Sequence, residues 1–457
     1  MALNMNRRQL LGTLAGATTV GVLSSATAGK NTTPAILTSS VNHSFETEVL
    51  VCGGGPAGFA AAANSARLGR KTLILERYGR LGGMGIHARV WPLMGGVQSP
   101  FVKEVHKKIG GNSFDPERAD LHYADILQKA GTTILLHTWV TEPVLENNRI
   151  VGVKAISKEG TIIVRAKLII DATGDADVAV LSGVPFEVGR ADDGLVQPMS
   201  IMFAVEGVAD NAKYCGSEEA ARATKINATE TWETVTVTAQ KNGELPETVG
   251  VVRTYKMGRR GKACVNATQI NRLFGTKIED LTKAELECRR QAFQVVDFMR
   301  KYLPGYENIY VSHMPAVIGV RETRRICGLE QLKREDLVSG RKWDNAIVRG
   351  ANFVIDIHNP AGSGQAENQT SSEIQGSAAR VKPYDIPLTS VIPQKVDGLL
   401  VAGRCISGTH EAHSSYRVQN ICMAIGAGVG TVAAIALEDK TAPANVDMKK
   451  VQKFLFS

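Results

Sequence analysis

Aromatic residues are scarce in this chain, at 5%, and no basic run of the kind used as a nucleic-acid patch occurs. With so few stacking groups, the formal charge of +8 suits an anionic cofactor or a carboxylate substrate and not nucleic acid. The seven cysteines (52, 215, 264, 288, 327, 405 and 422) include no C-x-x-C pair, and an odd, scattered set is a poor disulfide framework. Most read as buried side chains; a metal cluster gathered from distant cysteines is the alternative, and no metal site is assigned. The longest late apolar run, residues 421–437, has seventeen uncharged residues, short of a membrane span. Gly426, Gly428 and Gly430 within it suit close packing on a sheet, so no stable membrane insertion is expected. At 457 residues the chain is too long for one core, and two domains are expected.

What is present is organised around residues 46–58 and the acid that follows. Val49, Leu50 and Val51 read as a buried strand, and Gly53, Gly55 and Gly58 have G-x-G-x-x-G spacing. An Ala-rich helix opens at Pro56 and Ala57, and a second strand ends at Glu76, 18 residues past the last glycine. Gly53 permits the tight turn and Gly55 lets a diphosphate approach the backbone. Gly58 lets helix and strand pack closely, and the helix N–H groups face the anion. A carboxylate at Glu76 is placed to accept both hydroxyls of a ribose. Strand, glycines, helix, strand and acid in that order predict dinucleotide binding.

Residues 1–28 read as a signal peptide. Arg7 and Arg8 precede a weakly apolar stretch, and Ala26-Thr27-Ala28 is a small-residue cleavage signal. The paired arginines predict twin-arginine export to the periplasm, with the export machinery as a partner. An uncleaved membrane anchor is the alternative. Residues 29–44 read as a linker.

After Glu76 comes Arg77-Tyr78-Gly79-Arg80-Leu81-Gly82-Gly83-Met84-Gly85. An acid closing the second strand, then a Gly-Gly loop, resembles the FAD-binding fold of the glutathione-reductase type. The resemblance implies that Arg77, Gly82, Gly83 and Met84 follow the cofactor. His87 lies just beyond; a solvated or packed histidine and a covalent flavin attachment are its two readings. Residues 133–140 read as one strand, and residues 143–146 and 150–156 flank the Asn147-Asn148 turn of a hairpin. In the resembled fold this is the β-meander, with Thr138–Val140 where backbone usually meets the adenine and Val140 assigned to the cofactor. Leu168 through Asp177 then ends in Asp171-Ala172-Thr173-Gly174-Asp175-Ala176-Asp177. That block resembles the branch called FAD-dependent oxidoreductase, related to the heterodisulfide reductase flavoprotein but without its iron–sulfur motif. It implies that Thr173 and Gly174 meet the cofactor; Asp175 and Asp177 are functional or are helix N-terminal acids.

Residues 181–390 read as an inserted α+β substrate domain, with strands at 233–239, 251–254 and 263–268 and an amphipathic helix at 282–303. Thr282 and Glu285 look like a capping box, with Leu286, Phe293, Val296 and Leu303 on one face. Arg321, Arg324 and Arg325 fall within five residues and suit bidentate recognition of a carboxylate or phosphate; an ion-pair cluster with Glu322 is the alternative. His358 has Asp356 to orient it or is structural. Residues 361–380 look like a loop that covers the site.

The closing segment returns through a strand to Gly403 and Arg404, where glutathione-reductase-type relatives have Gly-Asp. It then runs His410, His413, Arg417 and Gln419 into an apolar helix. The resemblance implies that this helix points its N-terminus at the flavin. His410, His413 and Arg417 are thereby expected beside the ring, with a neutral His as general base.

The fold expected is α/β: a discontinuous, FAD-binding, Rossmann-like three-layer ββα domain (45–180 and 391–440), an inserted domain (181–390) and a tail (441–457). The activity implied is hydride transfer between a small anionic substrate and FAD, with an unidentified electron acceptor. A reductase of an activated alkene, a non-catalytic exported binding protein, and NAD in place of FAD are the alternatives. A homo-oligomer is left open.

Overall fold

A computed structural model describes residues 41–364 and 380–457. The expected signal peptide at 1–28, and the expected linker up to residue 40, lie outside the described residues; residues 41–44 already belong to the first strand, Val41–Cys52.

The principal sheet has Thr133–Leu135, Thr72–Leu75, Val41–Cys52 and Gly160–Asp171 side by side and parallel, with Leu399–Val401 parallel to the far half of Gly160–Asp171. The near half of Gly160–Asp171 pairs antiparallel with Arg149–Ser157, which pairs with Trp139–Glu146 to complete a meander. Val49, Leu50 and Val51 are fully buried, as a central strand of a parallel sheet covered on both faces requires. The Asn147-Asn148 turn has φ of 45° and 63°, the left-handed pair a two-residue hairpin demands. Residues 133–140 are two strands, because His137 takes φ of 53° and turns the chain from the parallel sheet into the meander.

A second hydrophobic core occupies residues 199–318. It packs the antiparallel sheet Arg253–Lys256, Lys262–Asn266, Met202–Glu206 and Tyr310–His313 against the helix Ile278–Tyr302. Residues 233–239 form no strand but lie in the helix Trp232–Lys241. Their alternating Thr and Val mimic a period of two, yet Thr231 caps the helix and Trp232, Val235, Thr236 and Ala239 bury one helical face. The long helix starts before Thr282, whose hydroxyl donates to the Ile278 carbonyl instead of capping. Glu285 accepts from the Ile318 amide, and Leu286 and Phe293 are exposed; the buried face carries Ala284, Cys288, Ala292 and Val295.

Two segments of the expected inserted domain join the first core. Strands Ala346–Asn352 and Tyr384–Pro387 pair with each other, and Ile347, Val348, Tyr384 and Ile386 pack there. The expected tail includes the helix Met448–Phe456, whose Val451 and Leu455 are buried in that core. The closing helix Gln419–Glu438 is long and apolar enough to cross a membrane, and 94% of its apolar window is buried inside the fold.

Candidate functional site

The strand Val41–Cys52 hands over to the helix Pro56–Arg67 through Gly53, which takes φ of 102°. A Cβ at Gly53 would lie 2.4 Å from the Ala172 carbonyl oxygen, and one at Gly58 would lie 1.8 Å from the Gly53 oxygen. Glycine is therefore required where strand, helix and the Asp171–Asp177 turn cross. No side chain caps the helix, so its first amides open on a cleft of about 990 Å³. The Gly82-Gly83 loop lies against the first loop; a Cβ at Gly83 would be 2.9 Å from Gly55 Cα. Glu76 is buried, accepting from the Gly54 amide at 2.6 Å and the Tyr78 amide at 2.9 Å. Burial raises its pKa against these amides. Beside it, the Arg77 guanidinium sits over the Tyr78 and Trp139 rings.

At the opposite wall, buried Asp171 accepts from the Thr173 amide, the Thr173 hydroxyl and the Ala179 amide, which fixes the turn through Gly174. Arg404 folds across Gly174 and pairs with Asp175. Burial opposes that carboxylate's charge, but Arg404 and Thr323 outweigh it and hold the Asp175 pKa low. Asp177 pairs with Arg324, yet burial and the nearby Asp175 and Asp171 push its pKa up to about 6.

The closing helix reaches the same cleft because glycines let it approach the first helix closely. Cβ atoms at Gly426 and Gly430 would stand 1.9 Å and 2.1 Å from the carbonyl oxygens of Ala57 and Ala61. Its N-terminus is also without a side-chain cap. Two positive helix ends thus converge on one cleft.

Of the residues expected to hold the cofactor, Gly53, Gly55, Pro56, Ala57, Glu76, Arg77, Gly83, Met84, Val140, Thr173, Gly174, Gly403, Arg404 and Gln419 line the cleft. Gly58 and Gly82 do not; they are packing positions, Gly82 against Ile86 and Tyr123. Tyr78, Trp139, Asp177 and Cys422 line it without having been assigned to it. Trp139 lies within the 138–140 segment expected at the adenine, Tyr78 adjoins Arg77 and was the readable omission, and Cys422, one turn into the closing helix, carried no signal. A diphosphate facing the two uncapped helix ends and a ribose at Glu76 fit this cradle, and it accommodates FAD.

A second cavity of about 790 Å³ shares Met84, Arg404, Arg417 and Gln419 with the cleft. Arg321, Asp356 and His358 line its polar side, and Val90, Pro92, Met94, Met202, Val320 and Val418 its apolar side. Arg417 Nη2 donates to Asp356 Oδ2 at 3.0 Å, and His358 Nε2 lies 3.6 Å from the same oxygen. Burial and then the Arg321 charge push the His358 pKa down to about 3, so the ring is neutral. Burial would raise Asp356, but His358, Arg417 and Arg321 hold it well below the usual carboxylate range. The segment carrying Asp356 and His358 is clamped by Asn271 Nδ2, which donates to the carbonyls of Asn359 (2.6 Å) and Gly362 (3.0 Å). The expected covering loop falls largely on residues 365–379, outside the described residues.

Among the five residues put forward for catalysis, Arg417, Arg321 and His358 meet at this cavity, whereas His410 and His413 line neither space. On the short helix His410–Tyr416 both imidazoles turn inward. His410 Nδ1 bonds Glu322 Oε1 at 2.9 Å, and the same carboxylate holds Arg325. His413 is 1% exposed, and burial with nearby cationic side chains drives its pKa well below the usual value. Of the arginine cluster, Arg324 and Arg325 are spent on Asp177 and Glu322, and only Arg321 faces the cavity. His87 is packed on Tyr78 with Nε2 2.9 Å from the Arg80 carbonyl and does not line the cleft. Among the described residues no group of His, Cys, Asp or Glu is placed to hold a metal.

Residues 48–455 match the family model described as FAD dependent oxidoreductase. A dihydrolipoyl dehydrogenase of Pisum sativum is 28% identical over 158 residues, 32% of this chain and 31% of that protein. A thiamine thiazole synthase of Methanococcus aeolicus is 32% identical over 160 residues, 30% of this chain and 58% of that protein. The chain thus spans about a third of the length of the dihydrolipoyl dehydrogenases it matches. Among solved structures, a geranylgeranyl bacteriochlorophyll reductase-like protein of Thermoplasma acidophilum covers 90% of this chain and 83% of its own at 14% identity and a TM-score of 0.45.

Proposed function

The chain belongs to the FAD dependent oxidoreductase family, and from that premise we propose that it transfers a hydride between FAD and a small anionic organic substrate held in the second cavity. As an FAD-dependent enzyme it is not the non-catalytic binding module weighed from sequence. The observation that carries the proposal is the wall shared by the two spaces, where Met84, Arg404, Arg417 and Gln419 face both.

FAD, when bound, accepts or returns a hydride at flavin N5. The chain's own groups bind, orient and handle charge. The uncapped N-terminus of Gln419–Glu438 favours negative charge arising in the cleft. Arg321 attracts the substrate's anionic group, while Arg417 is held by Asp356. His358 is the proton-handling side chain on the cavity wall. It is kept neutral by burial and Arg321, so an anion that offsets Arg321 raises its basicity as substrate binds. This assignment replaces His410 and His413. Met84, Val90 and Pro92 exclude water from the reacting carbon.

Anaerobic mixing of the purified yellow protein with a panel of organic acids tests the reading. Bleaching of the flavin absorbance identifies a donor substrate. Recolouring of chemically reduced protein by unsaturated acids alone would reverse the direction to alkene reduction. A protein unchanged by every acid in either redox state would overturn the reading of hydride transfer to or from an organic acid. Export rests on residues 1–28, and it predicts that replacing Arg7 and Arg8 by Lys leaves the protein in the cytoplasm.

A further inference from the structure

The charges around the second cavity can be matched one by one. Arg404 pairs with Asp175, Arg417 with Asp356 at 3.0 Å, and neighbouring Arg253 approaches Glu218 at 3.6 Å. Arg321 differs. Among the described residues its guanidinium has no carboxylate within ion-pair distance, and Nη1 donates only to the Pro198 carbonyl at 2.7 Å. Burial and the Arg417 charge push its pKa down to about 9 against the pull of Asp356 from beyond ion-pair distance, so it stays protonated at neutral pH at a cost that an anion would relieve. Ser200, Asn266 and Gln419 add neutral polar groups to the wall, and much of the rest is apolar and adaptable: Met84, Met94 and Met202 are unbranched, polarisable side chains that conform to varied shapes, backed by Val320 and Val418.

Resting on the reading of this cavity as the substrate site, we propose that its substrate is a monoanionic organic acid with an apolar alkyl or aryl body, the carboxylate on Arg321 and the body against the methionines. Arg321 is the cavity arginine outside any ion pair among the described residues, and one such cation calls for one anionic group. A second carboxylate would lie against the methionines or beside Arg404 and Arg417, whose charges already have Asp175 and Asp356, and is disfavoured there. A neutral molecule of the same shape would leave the Arg321 charge unmet. The cavity therefore selects against dicarboxylates and against uncharged analogues at the same time, and its apolar side tolerates changes in the body.

The test uses the flavin-loaded enzyme and a matched set of probes: 3-phenylpropionate, 3-phenylpropanol and glutarate. Binding is read by calorimetry and by perturbation of the flavin spectrum, with no turnover required. The acid is expected to bind at least tenfold more tightly than either the alcohol or the diacid. In Arg321→Met the preference over the alcohol should vanish while flavin content stays at the unmodified level. Arg321→Lys should restore part of that preference. The probe series on the unmodified enzyme decides the matter even if Arg321→Met fails to fold. Glutarate binding as tightly as 3-phenylpropionate, or the alcohol matching the acid, would overturn the proposal. Tight acid binding in an enzyme whose flavin no organic acid bleaches or recolours would support the monoanion site and remove the hydride-transfer reading.

Discussion

Arg417 reaches Asp356 twice, donating from Nη2 to the carboxylate at 3.0 Å and to the backbone carbonyl at 3.1 Å. The residue that leads into the closing helix is thereby tied to the segment that carries His358, and the wall between cofactor cleft and second cavity depends on the pair. Both side chains are mostly enclosed, at 13% and 14% exposure, so the pair is not the weak surface kind.

Asp356→Asn should cost about 3 kcal/mol of stability, since it leaves the buried Arg417 charge without its carboxylate. The folded pKa of Asp356 lies below its unfolded value of 3.8, so its contribution is complete at neutral pH and is lost only as pH falls through the lower folded value. Denaturant titrations at pH 7 and pH 5 should show the same deficit. A deficit that halves by pH 5 would contradict the pairing.

Gly426→Ala should lower the melting temperature and release flavin, because a Cβ there meets the Ala57 carbonyl at 1.9 Å. Overpacking of this sort costs about 1–3 kcal/mol or more. Gly96→Ala is the control: its Cβ would sit 3.7 Å from Asn352 atoms, an ordinary contact. Equal melting temperatures for the two variants would show that the helices can separate freely.

Glu76→Ala should weaken FAD retention by at least tenfold, about 1.4 kcal/mol, measured as the flavin-to-protein absorbance ratio after dialysis. It removes the carboxylate expected at the ribose and also the anchor of the Gly54 and Tyr78 amides. Full retention would place the ribose elsewhere.

His358→Gln should leave the protein yellow and lower kcat by about 100-fold. His413→Ala should keep kcat near the unmodified value and instead lose about 2 kcal/mol of stability to the cavity it leaves. A slow His413→Ala beside a fast His358→Gln would return the proton-handling role to the buried helix.

Asp177 supplies a pH test. Burial, then Asp175 and Asp171, raise its folded pKa to about 6 against 3.8 unfolded, so the fold disfavours the ionised form. This group therefore restores stability as pH falls from about 6 toward 3.8 and withdraws it as pH rises back through that window. Asp177→Asn should gain melting temperature relative to the unmodified protein at pH 7, and the gap should narrow at pH 5. A gap independent of pH would reject the shifted pKa.

Much of the cofactor cleft was legible because its features are local. Gly53 must take a positive φ, and Glu76 must end the neighbouring strand; both follow from spacing along a strand–helix–strand unit. The readings that failed were those decided by distant neighbours. Thr and Val at 233–239 alternate as a strand would, but Trp232 and Val235 found a core on one helical face. Thr282 and Glu285 matched a capping box, but Glu285 was already engaged by the Ile318 amide, 33 residues on. For His410 and His413, proximity along the chain to the helix expected to face the flavin suggested the site. The helical phase of a seven-residue segment turned both rings into the interior and left Arg417 at the cleft.

The sequence by itself determined the nucleotide cradle, since glycine spacing and one strand-terminal acid act through backbone geometry over a few residues. Only the tertiary structure decided which arginine faces the second cavity without a carboxylate and which histidine stands beside it. Charge compensation depends on which side chains meet across the fold. Arg321, Arg324 and Arg325 are alike in sequence and differ in the partners that folding brings to them.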